Sequence, residues 1–444
     1  MKTNLDRRQF GRLAASTAAF SVLPSSVLGA NEKVNVAIIG CGGMGGGDGQ
    51  AAFRTGLVNV VALCDVALGT KHTKGVEEAF PDVPRYTDFR VLFDELADEI
   101  DACTIGVPDH AHFPIAMLAM SLGKAVYVEK PLAHTYDEIT RLIAAEAKYG
   151  VVCQMGNQGH SGANYHQFKA WKEAGVLDGI TRVTAYMNSA RRWHGWKIDA
   201  YPEGEEMPAG LDWDTWIGTA PENPFSGKLH PGNWRSWYDY GCGAFGDWGP
   251  HILDTVHRFL DLGMPNKVTA VKREGVKDLI FPLATTIQFD FPERGDEPAC
   301  SVTWYDGTQN RPERPAELDE TQKLGNAGKV LYGQDLTFKG GTHGAPLSVI
   351  PQEAANDLTL PEFEVGSNHM LNFIRSVKGE EQTRSPFHVA GPLCQVFCLG
   401  MIAQRLGGSF TFDREAERIT SDDRAHQLLV GHPPRKGWEE FYAL

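Results

Sequence analysis

Residues 40–45 read Gly-Cys-Gly-Gly-Met-Gly and place Gly40, Gly42 and Gly45 at the spacing G-x-G-x-x-G. In such a run the first glycine makes a tight turn and the second lets backbone close on a pyrophosphate. The third lets the following helix pack against the preceding strand. Gly43 and Met44 complete the turn, so the whole segment is the expected phosphate cradle. Asp65 follows about 20 residues later, where a carboxylate binds ribose hydroxyls and repels a 2′-phosphate. This points to NAD rather than NADP. Further along stand Glu129-Lys130-Pro131 and, at a spacing of i and i+4, Asp247 and His251. That spacing puts the last two on one helix face. Pro250 fits if that helix starts near Asp247, because proline is accepted in a first turn. An imidazole titrates near neutrality, which suits His251 to general acid or base work. Lys130 either orients a substrate or, if desolvation lowers its pKa, serves as the base.

The elements that must hold these residues are legible from apolar patterning. Val34–Ile39 is a β-branched run leading straight into the glycine turn, and a second run, Val58–Cys64, ends at Asp65. Strand-like segments at 101–106, Ala125–Val128 and 151–155 alternate with helical ones at 115–122 and 139–149. Alternation of this kind predicts a doubly wound parallel sheet, with ligands beyond the carboxyl ends of its strands. Residues 33–155 are therefore expected to form a dinucleotide-binding Rossmann domain. From residue 156 the pattern changes. Segments 180–187, 268–271, 285–291 and 299–305 are rich in β-branched and aromatic residues, which predicts an α+β domain over 156–444 with a large, mainly antiparallel open sheet. Helices are expected at 165–174, 252–260, His369–Val377 and 389–405, the last packing back on the core, and 311–329 reads as a surface loop.

Together, the glycine turn, Asp65, Pro108-Asp109-x-x-His112, Glu129-Lys130-Pro131 and the Asp247/His251 pair resemble the Gfo/Idh/MocA family of oxidoreductases. The resemblance covers roughly residues 33–265, and Phe410-Thr411-Phe412-Asp413 extends it. It implies that Lys130 sits near the nicotinamide and a reacting sugar hydroxyl, with Asp247 and His251 facing the same substrate. It also implies that Pro108 and His112 shape the nicotinamide end, although Asp109 stands where the family usually has Asn. Asn157 and Gln158 are expected near cofactor ribose or substrate. Seven of the ten tryptophans lie between Arg191 and Trp248. Indole rings stack on sugar faces as readily as they fill cores. The expected substrate wall is Arg191, Trp193, His194, Trp234 and Arg235. Relatives commonly associate through the open sheet, so a homodimer or homotetramer is implied.

Bulk properties narrow the alternatives. A net charge of -14 with no basic stripe argues against nucleic acid. The eight cysteines show no C-x-x-C pair and no histidine completing a metal set, so no metal site is expected. Residues 1–30 carry Lys2, Arg7, Arg8 and Arg12 against Asp6, then a weakly apolar stretch and small residues, the layout of an export signal. Arg7-Arg8-Gln9-Phe10 resembles a twin-arginine signal, which implies handling by the twin-arginine translocase, folding before export and a periplasmic location. No soluble NAD pool serves that compartment, so the cofactor should be kept through many turnovers. The expectation is an NAD-dependent oxidoreductase acting on a sugar or glycoside. Its variants are an oxidation–elimination glycoside hydrolase and a non-catalytic sugar and dinucleotide binder.

Overall fold

The computed structural model describes residues 32–189, 196–356 and 358–444. The export-like segment 1–30 lies outside the described residues. Six parallel strands open the chain: β1 (Val34–Ile39), β2 (Val58–Cys64), β3 (Arg85–Tyr86), β4 (Ala102–Ile105), β5 (Ala125–Val128) and β6 (Cys153–Met155), in the order β3-β2-β1-β4-β5-β6. That order reverses direction between β1 and β4, which opens a crevice at their carboxyl ends. The helices that cover this sheet include α1 (Gly43–Arg54), α2 (His112–Ser121) and α3 (Tyr136–Tyr149). α3 is closed by a capping box between Thr135 and Glu138 and ends at Gly150 in the left-handed region.

The second sheet has nine strands: β7 (Arg182–Met187), β8 (Lys267–Glu274), β9 (Ala284–Phe291), β10 (Cys300–Asp306), β11 (Ala327–Tyr332), β12 (Thr337–Gly340), β13 (Leu347–Ile350), β14 (Ser409–Asp413) and β15 (Arg418–Ile419). They run in the order β13-β12-β11-β7-β10-β9-β8-β14-β15. Only β7 and β10 pair in parallel. β11 begins inside the segment expected to be loop, because its buried run Gly328–Leu331 follows directly on the polar stretch. Three helices join the layers: α4 (Gly243–Ile252), α5 (His369–Val377) and α6 (Phe387–Leu406). α5 buries Phe373 and Ile374 against Val34, Val36 and Tyr127 of the first sheet. α6 is long and apolar, yet 78% of its apolar window is buried between the two halves, as a core helix should be. The C-terminal chain therefore returns to cover the Rossmann sheet.

α4 departs from expectation. It starts at Gly243, so Pro250 sits in its last turn rather than its first. Proline lacks the N–H that would bond four residues back, and the chain bends at Leu253 before a separate helix, Asp254–Phe259. The helix expected at 252–260 is this one, set apart by the bend from the helix that carries Asp247 and His251. Gly249 lets the ring of Phe397 approach to where a Cβ would stand 2.5 Å away. Phe245, on the same helix, packs on Trp304 at 4.7 Å and Phe397 at 4.9 Å. Phe245→Ala should cost about 3–5 kcal/mol by denaturant unfolding, because this fully buried site cannot collapse around the void.

Candidate active site

The sequence around the glycine turn dictates its shape. Gly40 follows β1 with φ of 90° and donates its N–H to Cys64 at 2.8 Å. A Cβ on Gly45 would stand 2.4 Å from the Gly40 carbonyl oxygen and 2.5 Å from that of Gly106. Gly43, with φ of 50°, faces open space. α1 has Gly42 as its N-cap, with no side-chain cap and no acid in its first turn, so its leading N–H groups are left for an anion. Asp65 accepts from Cys41 N and Ala67 N, both at 2.8 Å, and so ties the turn to β2. Burial raises its pKa, although backbone donors oppose the rise. The turn and Asp65 line one cleft of about 390 Å³ that extends past Pro108 to Glu129 and Lys130. A glycine cradle, uncapped N–H groups and a ribose-height carboxylate in one cleft fit a dinucleotide.

At the far end the charges interlock. Lys130 Nζ lies 2.9 Å from Asp247 Oδ1 and 4.0 Å from Glu129 Oε2. Arg235 lies 3.0 Å from Asp109 and 3.7 Å from Asp247. Its guanidinium also covers the Trp234 ring at 4.3 Å, and both residues line the cleft. β5 delivers Glu129 and Lys130, α4 delivers Asp247, and the segment before α4 delivers Arg235. Asp109 also accepts from Cys242 N at 2.9 Å, anchoring the start of α4.

His251 is buried one turn beyond Asp247 and stacks on His343 with centroids 3.9 Å apart. His343 is exposed, has φ of 52° and presents an edge to Trp248. His251 is not on the wall of the dinucleotide cleft. His112 is also behind that wall, with Nδ1 2.8 Å from the Pro131 carbonyl and Nε2 3.0 Å from that of Val107. Both nitrogens face backbone carbonyls, and the neutral ring donates to one of them, so His112 braces the loops behind the wall. Gln158 Nε2 donates to Glu129 Oε1 at 3.0 Å, and Asn157 accepts from Ser385 Oγ at 2.7 Å. These two brace the site from behind, because the residues they hold are buried. Arg191, Trp193 and His194 lie outside the described residues.

The tryptophan-rich insertion divides between core and cleft. Trp216, Trp234 and Trp237 share a cluster with Leu229 and Tyr240, while Trp216 and Trp234 also face the dinucleotide cleft together with Thr215 and His230. His110, in the loop after β4, docks the insertion through the carbonyls of Trp216 (2.7 Å) and Tyr240 (3.1 Å). Burial pushes its pKa down to about 4. A depressed histidine adds stability above its unfolded pKa and loses it as pH falls, because only the unfolded chain takes the proton. His257, also buried, is likewise pushed down to about 4. Melting temperature should therefore fall as pH drops from about 6.5 to 4. The fall should be shallower in His110→Gln, read by calorimetry. Asp48, His72, Thr215, His230 and His343 were not legible as site neighbours, whereas Trp216 is one of the insertion tryptophans expected to line either core or substrate. Each is brought in by tertiary packing of loops or by a helix face that looked solvated.

A parallel Rossmann sheet, a mostly antiparallel second sheet and a buried lysine–carboxylate pair at the end of the cleft define a two-domain, dinucleotide-binding architecture. Models of one family match both halves: its NAD-binding Rossmann fold over residues 34–157 and its C-terminal alpha/beta domain over residues 161–280. The chain belongs to the Gfo/Idh/MocA oxidoreductase family, and its Rossmann domain binds NAD. The inositol 2-dehydrogenase/D-chiro-inositol 3-dehydrogenase of Lactiplantibacillus plantarum is 31% identical over 144 residues, covering 32% of this chain and 40% of that one. A glycosyl hydrolase family 109 protein of Saccharopolyspora erythraea is 32% identical over 124 residues, covering 27% of each. These alignments span well under two thirds of the relatives' lengths. The aldose-aldose oxidoreductase of Caulobacter crescentus shares the fold with a TM-score of 0.55 at 16% identity, covering 86% of this chain and all of that one. So does the WlbA dehydrogenase of Bordetella pertussis, solved with NADH and UDP-GlcNAcA, with a TM-score of 0.57 at 15% identity over 86% and 99%.

Proposed function

We propose that this protein is an exported NAD-dependent oxidoreductase of a sugar or glycoside, which keeps its NAD and restores it within each cycle. The carrying observation is that Thr215, Trp216, His230 and Trp234, from the insertion, wall the same cleft as the glycine turn. Residues from two domains enclosing one site slow the escape of whatever it holds. NAD supplies the hydride acceptor when bound. Lys130, paired with Asp247, holds the substrate hydroxyl and moves its proton, while Arg235 and Trp234 orient the ring. Asp247 fixes the ammonium, and His251 on the same helix supports the substrate side.

The relatives named as family 109 glycosyl hydrolases favour one version of this cycle. Transient oxidation acidifies the neighbouring C–H, elimination expels the aglycone, and re-reduction returns NAD. Product analysis across glycosides and free sugars tests both versions. Retained cofactor predicts NAD in the denatured, purified protein at close to one per chain. Protein purified without dinucleotide would leave an ordinary dehydrogenase with exchangeable NAD. The Arg7-Arg8 pair supports export by the twin-arginine route, so an Arg7→Lys, Arg8→Lys variant should accumulate in the cytoplasm. The sheet face bearing exposed Val271 suits association into a dimer or tetramer, which light scattering reads directly.

A further inference from the structure

One charged group of the site is unexplained by cofactor or substrate binding. Asp48 lies on α1, less than one turn past Gly45 of the pyrophosphate cradle, and is only 6% exposed. Its Oδ2 has no hydrogen-bond partner among the described residues. The carboxyl of Glu129 stands beside it, and the two act on each other. Two ionised carboxylates side by side in a dry interior repel, so one of them carries a proton. An ionised carboxylate with an orphaned oxygen in a dry interior is costly, which assigns the proton to Asp48 at rest. Burial and the neighbouring Glu129 charge both raise the Asp48 pKa, in agreement.

The surroundings extend this reading. Glu129 receives an N–H from Gln158 and from Lys130 backbone, and lies 4.0 Å from Lys130 Nζ. The groups facing the pair are Tyr127 and Lys130 from β5 and Arg235 from the insertion, with Asp247 of α4 and Asp109 just beyond. Four carboxyls thus meet two cations. With the proton on Asp48 the cluster keeps a single negative charge, which suits a cationic nicotinamide.

We propose that Asp48 and Glu129 form a proton store behind Lys130, taking up the proton released when the substrate hydroxyl is oxidised and returning it on re-reduction. This rests on the redox-neutral cycle proposed above. Oxidation of the carbinol breaks one C–H and one O–H bond. The C–H electron pair leaves with the hydride to NAD, and the C=O bond forms. The hydroxyl proton moves to Lys130 as the ammonium passes one of its own to Glu129, leaving both carboxyls neutral. The positive charge lost from the nicotinamide is replaced by that proton, so the buried site keeps its total charge. Reduction of the carbonyl runs the same path backwards, and no proton has to cross the closed cleft. Asp48 is a positioning residue here, acting through Glu129.

Infrared difference spectroscopy of the NAD-loaded protein reads the pair without turnover. A protonated-carboxyl C=O band is expected at pH 7 in the wild type, lost in Asp48→Asn. In Glu129→Gln the band should shift, which serves if the first variant folds poorly. In unbuffered solution with an indicator dye, reduction of bound NAD by a sugar should release almost no proton in the wild type. Glu129→Gln, which cannot take the proton, should release close to one per cofactor reduced, with the reduction step slowed by about tenfold or more. No carboxyl band, or full proton release by the wild type, would overturn the proposal. A protein in which no sugar reduces bound NAD would fail the cycle itself, while the band would still decide the pair.

Discussion

Replacing Lys130 by methionine is expected to lower kcat/KM by about 10²–10⁴-fold, the range over which a positioned proton-transfer group contributes. The expectation follows from its place: buried to 8%, on the cleft wall, 2.9 Å from Asp247 and within reach of Glu129. Removing the ammonium also takes the nearer cation from the buried Asp247 carboxylate and leaves Arg235 at 3.7 Å, at a cost of about 3 kcal/mol. Instability and lost chemistry are separated by Lys130→Met with Asp247→Asn, which removes both charges together. The double variant should regain stability and stay inactive. Lys130→Arg should fold and bind NAD but remain slow, since a guanidinium does not give up a proton near neutral pH. A Lys130→Arg enzyme with unchanged kcat would remove Lys130 from the proton path.

Gly45→Ala is expected to abolish cofactor retention. The new Cβ would meet backbone oxygens of Gly40 and Gly106 at 2.4 and 2.5 Å, and neither has a flexible side chain that could yield. The helix must shift off the sheet, at about 1–3 kcal/mol, and the N–H groups that face the pyrophosphate shift with it. NAD content of the purified variant should fall more than about tenfold, which corresponds to at least ~1.4 kcal/mol of lost binding. Gly47→Ala is the control. It lies on the same helix with nothing within 4 Å of its added Cβ, so it should keep NAD and gain roughly 0.5–1 kcal/mol of stability. Equal NAD content in both variants would contradict the assigned roles.

The site was legible where local spacing dictates geometry. The glycine turn, Asp65 and the strand ending in Glu129-Lys130 are set by neighbours in sequence, and the Rossmann strands emerge at the expected segments, shortened at their ends. Asp247 and His251 share a face as their spacing required, but proline placement misplaced the start of their helix, which begins a turn earlier at Gly243 with no capping side chain to announce it. What remained hidden depends on contacts distant in sequence. Asp48 sits in a glycine-rich helix where an aspartate reads as solvated, and only the return of β5 buries it against Glu129. The hairpin of β12 and β13 has strands of four residues each, too short for a pattern, so nothing foretold that His343 would stack on His251. His112 has the family spacing, yet two carbonyls set its job. The tryptophans show the limit of composition: Trp216 is at once core and cleft wall.

An experimental structure of the purified protein with its dinucleotide tests the central claim most directly. The pyrophosphate should lie on the backbone N–H groups of residues 42–45, with the nicotinamide beside Lys130 and under Trp234 and Arg235. A dinucleotide bound outside this cleft, or one whose nicotinamide points away from Lys130 and Asp247, would contradict it.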